Sequence, residues 1–186
     1  MKSVKLTVAT FALGMILVGN ASAQMETMVG GEKMYPKKNI VENAMNSKDH
    51  TTLVAAVKAA DLVATLQTAG PFTVFAPVND AFENLPAGTV ESLLKPENKA
   101  TLAKVLTYHV VAGTMDFETI KKAIEKGKGK AVMTTVSGGK LTAMMNGDHN
   151  ITITDENGST ANITTYDVMQ SNGVIHVIDK VIMSKM

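Results

Sequence analysis

The chain has no cysteine, no tryptophan and no arginine, and each absence removes a class of function. Without cysteine there is no disulfide framework, no thiol nucleophile, no thiolate metal site and no bacterial lipid anchor on an N-terminal Cys. Every basic residue is lysine. The forked guanidinium that reads phosphates and base edges is therefore missing, and nucleic acid is not expected as a partner. Aromatic residues make up 4% of the chain, too few for a stacking platform that would hold sugars or single strands. Long apolar runs are scarce as well. The one that stands out, Leu6 to Val18, follows Lys2 and Lys5 and precedes the small residues Ala21-Ser22-Ala23. It is short for the ~20 residues of a membrane span and has the layout of a secretory signal peptide over residues 1–23. Cleavage there starts the mature chain at Gln24. Two lysines leave with the signal, so the net charge of +1 falls to −1. The expected product is exported, periplasmic or extracellular, and free of a membrane span.

At 186 residues the length fits one domain with a buried core. Gln24 to Pro36 lacks periodicity, contains Gly30-Gly31, and reads as a flexible lead-in. From there to about Gln67 the apolar spacing is helical: Asn39 is a candidate cap for Ile40, Val41, Ala44 and Met45, Ser47 or Asp49 for Leu53, Val54 and Val57, and Asp61 for Leu62, Val63 and Leu66. Phe72-Thr73-Val74-Phe75 is a β-branched and aromatic run that Pro77 ends. Asp80 followed by Glu83 then has the capping-box pattern, so a strand is expected to run directly into a helix. Beyond it, Thr89 is a candidate cap for a short helix and Pro96 suits a first helical turn. Leu102, Val105, Leu106, His109 and Val110 fall on one helical face. Phe117, Ile120 and Ile124 mark another helix that ends at Gly127.

The period then changes to two. Residues 131–136, 141–145, 151–154 and 160–164 are strand candidates separated by Gly138-Gly139, Asn146-Gly147 and Asn157-Gly158. The closing run Val174 to Ile182 is apolar at most positions, as in a central strand buried on both faces. Helices first and strands later, with one early strand, give an α+β class.

Three segments carry a family resemblance: TVFAPVNDAF (Thr73–Phe82), LTYHVVAG (Leu106–Gly113) and NGVIHVIDKVIM (Asn172–Met183). In this order and spacing they resemble the motifs of a fasciclin domain, over about residues 37–184. The resemblance implies a wedge-shaped β-sandwich flanked by N-terminal and central helices. It also implies a secreted or surface-attached module of cell adhesion and extracellular-matrix contact, with no general enzymatic activity. The positions that carry it are Thr73, Val74, Phe75, Pro77, Asn79, Asp80, Phe82, Tyr108, His109, Asn172, Gly173, Ile175 and His176, and their expected role is mainly structural.

Residues that suggest chemistry are weighed individually. His109 on an apolar face is expected to be a core histidine held by a hydrogen bond from Asn79 or Asp80, and those two to be helix caps. His176 and Asp179 are three apart and so on opposite faces of a regular strand; His176 is expected near a sheet edge or rim. His50 and His149 are expected to be exposed. No G-x-S-x-G elbow is present, and Ser137 and Ser159 fall in turns, so no hydrolase triad is expected. Lys121, Lys122, Lys126, Lys128 and Lys130 read as a solvated helix end. Asn150, Asn157 and Asn162 sit in glycosylation patterns that matter only in a eukaryotic secretory route.

The function expected is thus a non-enzymatic interaction module without a cofactor. Its partner would be a protein, a polymer or a second copy. The alternative is a periplasmic small-ligand or copper-binding module that uses the thioethers Met25, Met28 and Met34, with His50 as an adjunct.

Overall fold

The computed structural model describes residues 26–185. The expected signal peptide and Met25 lie outside the described residues. The region read as a flexible lead-in is instead a hairpin: β1 (Thr27–Val29) pairs antiparallel with β2 (Glu32–Met34). Gly30 and Gly31 take positive φ at its tip, the backbone that two-residue hairpin loops require. Period-two burial is visible even in these three-residue strands. Val29 and Met34 are buried, whereas Met28 is 57% exposed.

Helix α1 (Ile40–Ala44) starts where expected. Asn39 Oδ1 accepts from Glu42 N, and Glu42 Oε2 accepts from Asn39 N, which closes a capping box. A 3-10 turn (Lys48–His50) leads into α2 (Thr51–Ala59), followed by α3 (Val63–Leu66), β3 (Phe72–Pro77) and α4 (Asn79–Glu83). Helix α5 (Thr89–Leu93) and a second 3-10 turn (Pro96–Asn98) precede α6 (Lys99–Tyr108), β4 (Val110–Ala112) and α7 (Phe117–Lys126). The chain then runs through β5 (Ala131–Thr134), β6 (Lys140–Met145), β7 (Ile151–Thr154), β8 (Thr160–Gln170) and β9 (Gly173–Ile178).

The last seven strands, β3 to β9, form one sheet in the order β4-β3-β9-β8-β7-β6-β5. Only β3 and β9 run parallel; the other pairs are antiparallel. Strand β8 joins the two halves. It pairs with β7 through Thr160–Asn162 and with β9 through Ile163–Gln170, and its register slips between Ile163 and Thr165 and between Thr165 and Val168. Such bulges bend a strand, and here the sheet folds over until its ends meet. Val111 bridges Thr135, and Val136 N donates to the Val110 carbonyl at 2.7 Å.

The fold has a core on each face of the β3–β9 pair. Val74, Ala76, Ile175 and Val177 pack with Leu53, Leu102 and Leu106 of the helices and with Met34 of the hairpin. On the opposite face Phe75 and Ile178 pack with Leu141, Ile151 and Ile153 of the folded-over half and with Ile120 and Ile124 of α7. Burial on both faces explains why β9 reads as a nearly unbroken apolar run.

Local expectations need correction, the caps offered by Asp61 and Thr89 among them, since Leu62 and Gly88 hold those N-cap positions and no side-chain cap bond forms. Helix α6 stops at Tyr108, so Val110 does not share its apolar face. Adjacent β-branched valines favour a strand, and Val110 and Val111 pair with β3. Helix α4 is preceded by Val78, and no side chain caps it. Asp80 therefore forms no capping box, and Asn79 caps a different helix, as described below.

Candidate functional site

The three motif segments meet at β3. Strand β9 lies beside it in parallel, with Val74 opposite Ile175 and Phe75 opposite His176. Strand β4 lies on its other side, with Val74 opposite Val110. The strand residues that carry the family resemblance are thus gathered on β3 and its two neighbours, whereas Asn79, Asp80 and Phe82 lie on α4 just beyond β3, with Asp80 exposed.

His109 follows α6 as its C-cap residue, with only 3% of its surface exposed. Its Nδ1 lies 2.8 Å from the Val105 carbonyl, which can only accept. Nδ1 therefore carries the proton, and Nε2 is free to accept from Ile182 N at 3.3 Å. Neither Asn79 nor Asp80 contacts it. The expected core role holds with different partners, because the C-terminal segment passes over the ring. Burial holds its pKa at about 4, against smaller opposing effects of the Val105 hydrogen bond and Asp155. At neutral pH the ring is an uncharged structural connector.

His176 is fully buried in the central strand β9, not at a rim. The reason is topological. The run that ends the chain inserts between β3 and β8 rather than adding to an edge. Nε2 lies 2.8 Å from the Met115 carbonyl and therefore donates, while Nδ1 accepts weakly from Asp167 N at 3.4 Å. The ring stacks on Phe75 at 5.7 Å between centroids and meets the edge of Tyr166. Burial lowers its pKa, and the Met115 contact, Asp167 and Asp116 oppose this.

The remaining polar motif residues serve as ties. Asn79 Oδ1 accepts from Thr52 N and Thr51 Oγ1, and Nδ2 donates to the Lys48 carbonyl. Asn79 thus caps α2 from across the fold. Asn172 Oδ1 accepts from Ile40 N, and its Nδ2 donates to the carbonyls of Leu66 and Thr68. It fastens α1 and α3 to the sheet. Thr73 Oγ1 donates to the Gly113 carbonyl at 2.6 Å and accepts from Met115 N. Tyr108 Oη donates to the Lys140 carbonyl and accepts from Glu156 N, which links α6 to the second half of the sheet. Gly173 allows a close approach of β9 to β3. A Cβ there would lie 2.0 Å from the Phe72 carbonyl oxygen.

No pair of these groups has the geometry of a nucleophile and its base. Among the described residues no cluster of three or more His, Asp or Glu is placed to hold a metal. Met28 and Met34 lie on opposite faces of the hairpin, so the structure does not bring them together. His149 is exposed as expected, but His50 is buried, with 2% of its surface exposed. It sits beneath the hairpin, whose packing was not legible as long as that segment read as a lead-in.

Two sites were missed for a related reason. Asn43, in the middle of α1, is fully buried; it exchanges hydrogen bonds with the Tyr35 backbone and donates to Gln170. Asp155 accepts from Asn157 N, Ser159 N and Met183 N. The Asp-x-Asn-Gly turn pattern signals the first two bonds, whereas the third depends on tertiary placement.

The outer face of the folded-over half sheet was missed too. Cross-strand partners lie on one face, so Val132, Thr142, Thr154 and Thr160 form a row across β5 to β8. Met144, Thr152 and Asn162 form the next row, in which Thr152 is buried. Val132 is 59% exposed, Val136 49% and Met144 39%. This gives a flat, β-branched surface, with Lys140 charged at its border opposite Thr134.

The comparisons with known proteins agree with this architecture. The family model of the Fasciclin domain matches residues 48–184. Protein sll1483 of Synechocystis sp. is 46% identical over 182 residues, covering 95% of this chain and 92% of its own length. The immunogenic protein MPB70 of Mycobacterium bovis is 32% identical over 145 residues, 75% of this chain and 66% of its own length. Among solved structures, a FAS1 domain pair from the insect cell adhesion molecule fasciclin I superposes with a TM-score of 0.68 at 17% identity. That match covers 78% of this chain and 51% of the other, so the chain spans about half of the domain pair. The chain belongs to the fasciclin domain family.

Proposed function

We propose that the protein is an exported, non-enzymatic interaction module that works by surface contact at the cell envelope or the matrix beyond it. The contact surface is the outer face of β5 to β8. The observation that carries this reading is the row Val132–Thr142–Thr154–Thr160 on the outer face of the sheet, exposed at Val132 and Thr160 and half-buried at the two threonines between them. Elsewhere Asn79, Thr73, Tyr108, His109, Asn172 and His176 are occupied by hydrogen bonds within the fold. A flat, largely uncharged surface suits another protein or an uncharged polymer, since little charge must be desolvated on contact. The adhesive role of the insect molecule whose fold is shared supports the class of function, and nothing finer is taken from it. Export through residues 1–23 belongs to the same proposal, and N-terminal sequencing of the protein from its host is expected to begin at Gln24.

The test uses protein-coated beads applied to cells of the host and to each other. Val132→Glu and Thr142→Glu place charge in the row without touching the core. They are expected to abolish bead attachment while the melting temperature stays unchanged. Attachment that survives both substitutions rules out this face. Aggregation of beads with each other would identify a second copy as the partner, and attachment to cells alone would identify a different one.

A further inference from the structure

Two regions of opposite charge are left unpaired on the surface. The first surrounds the end of α7, where Lys121, Lys122, Lys126, Lys128 and Lys130 stand against Glu118 and Glu125. Ile120 and Ile124 are buried, whereas Lys122 and Lys126, one helical turn apart, are exposed. A helix C-terminus offers about half a negative charge, so five lysines exceed what it offsets. Among the described residues, none of the five forms an ion pair.

The second region is an open groove of about 300 Å³ between α4, α5 and the turn that joins them. Half-buried Phe82, Leu85 and Val90 give it an apolar floor, and Glu83 and Glu91 line it with exposed carboxylates. From Asp80 to Glu97 the chain carries four exposed acids against one lysine, Lys95. Among the described residues these acids form no ion pair either. Such a groove fits a lysine side chain, with the methylene stem on the apolar floor and the ammonium beside a carboxylate. The two regions face opposite ways. Helix α4 packs on α2 and α5 on α6, and Phe82 packs against the core on that side of the sheet. Helix α7 packs on β5 and β6, with Phe117 and Ala123 against the core on the other side. The lysines of one chain therefore cannot reach its own groove, but they can reach that of the next. The formal net charge of the chain is +1, so general repulsion between copies is small.

We propose that the groove between α4 and α5 receives Lys122 and Lys126 of a second copy of this chain. Two different patches meet in this contact, so it is head-to-tail and propagates into an open row of copies instead of closing a two-fold dimer. Charge complementarity fixes the direction of the row. The contact does not use the outer face of β5 to β8, so either proposal can fail without the other. At about 1 M salt, where the Debye length is about 3 Å, the head-to-tail contact is screened, and bead attachment there reports on the strand row alone.

The test is sedimentation velocity of the mature protein over a range of concentrations at about 0.01 M ionic strength, where the Debye length is about 30 Å. The wild type is expected to show a series of species that grows with concentration and returns to monomer at about 1 M salt. The variant Lys122→Glu with Lys126→Glu is expected to be monomeric throughout, and so is Glu83→Lys with Glu91→Lys. All four positions are exposed, and melting curves check that both variants fold. Mixed in equal amounts, the two variants are expected to assemble again, because one keeps its groove and the other keeps its lysines. Val132→Glu is expected to assemble as the wild type does. A wild type that stays monomeric at low salt overturns the proposal, and if it then co-sediments with added polyphosphate the lysines serve an anionic polymer instead. Assembly of either charge-reversed variant alone, or a mixture that stays monomeric, overturns it as well.

Discussion

His109 makes the stability of this protein sensitive to acid, and the size of the effect follows from its surroundings. In the unfolded chain the imidazole has its ordinary pKa of 6.5, and in the fold burial lowers it to about 4. A group whose folded pKa is depressed contributes its full stability above the unfolded value. That contribution is lost as pH falls from 6.5 to about 4, because the unfolded chain takes up a proton that the folded chain refuses. At about 1.4 kcal/mol per pH unit, the loss approaches roughly 3 kcal/mol. Replacing His109 with Gln removes this pH dependence. The replacement also weakens the domain at pH 7, because the flexible Gln side chain does not hold its donor and acceptor where the rigid ring places Nδ1 and Nε2, and a buried group left without its partner costs about 1–3 kcal/mol. The variant is therefore expected to be less stable than the wild type at pH 7, with the gap narrowing toward pH 4. Urea unfolding followed by circular dichroism at half-unit steps of pH measures both curves. His50 and His176, whose pKa values are also lowered by burial, contribute residual slopes common to both proteins. Parallel curves, or a His109 pKa near 6.5 by NMR, would refute the reasoning.

Asn172→Ala breaks three side-chain bonds at once and is expected to cost more than any single cap, about 3 kcal/mol or more by urea unfolding. Gly173→Ala forces a Cβ against the Phe72 carbonyl and is expected to separate β3 from β9, yielding little folded protein on expression. Tyr108→Phe leaves the Lys140 carbonyl and Glu156 N without their shared partner and is expected to cost about 1–3 kcal/mol, read as a lower urea midpoint at an unchanged slope. Asn79→Ala removes the cap of α2 and is expected to cost about 1–2 kcal/mol, with faster hydrogen exchange at Thr52.

The elements legible in the sequence were those whose signals are local. The Asn39 cap, the glycine-containing turns between β5 and β8 and the amphipathic α7 each depend on residues within one turn or strand. The inference failed where a residue's role is set by distant chain. Asn79 looks like a cap for the helix it begins, yet it caps α2, because the fold places the end of β3 beside that helix. The place of β9 between β3 and β8 put His176 at the centre, and no pattern within the strand announces its neighbours. Gln24 to Pro36 has no periodicity because its strands are three residues long, too short to establish one. That gap concealed Met34 and, with it, the burial of His50. The outer face of β5 to β8 was hidden for the opposite reason: its threonines read as ordinary strand formers until the register aligned them.

Hydrogen exchange of the protein bound to envelope fragments of its host, compared with the free protein, tests the claim of surface contact most directly. The account predicts slowed exchange confined to amides of β5 to β8, with the helices α2 and α6 unchanged. Protection concentrated on those helices, or none anywhere at saturating envelope, would contradict it.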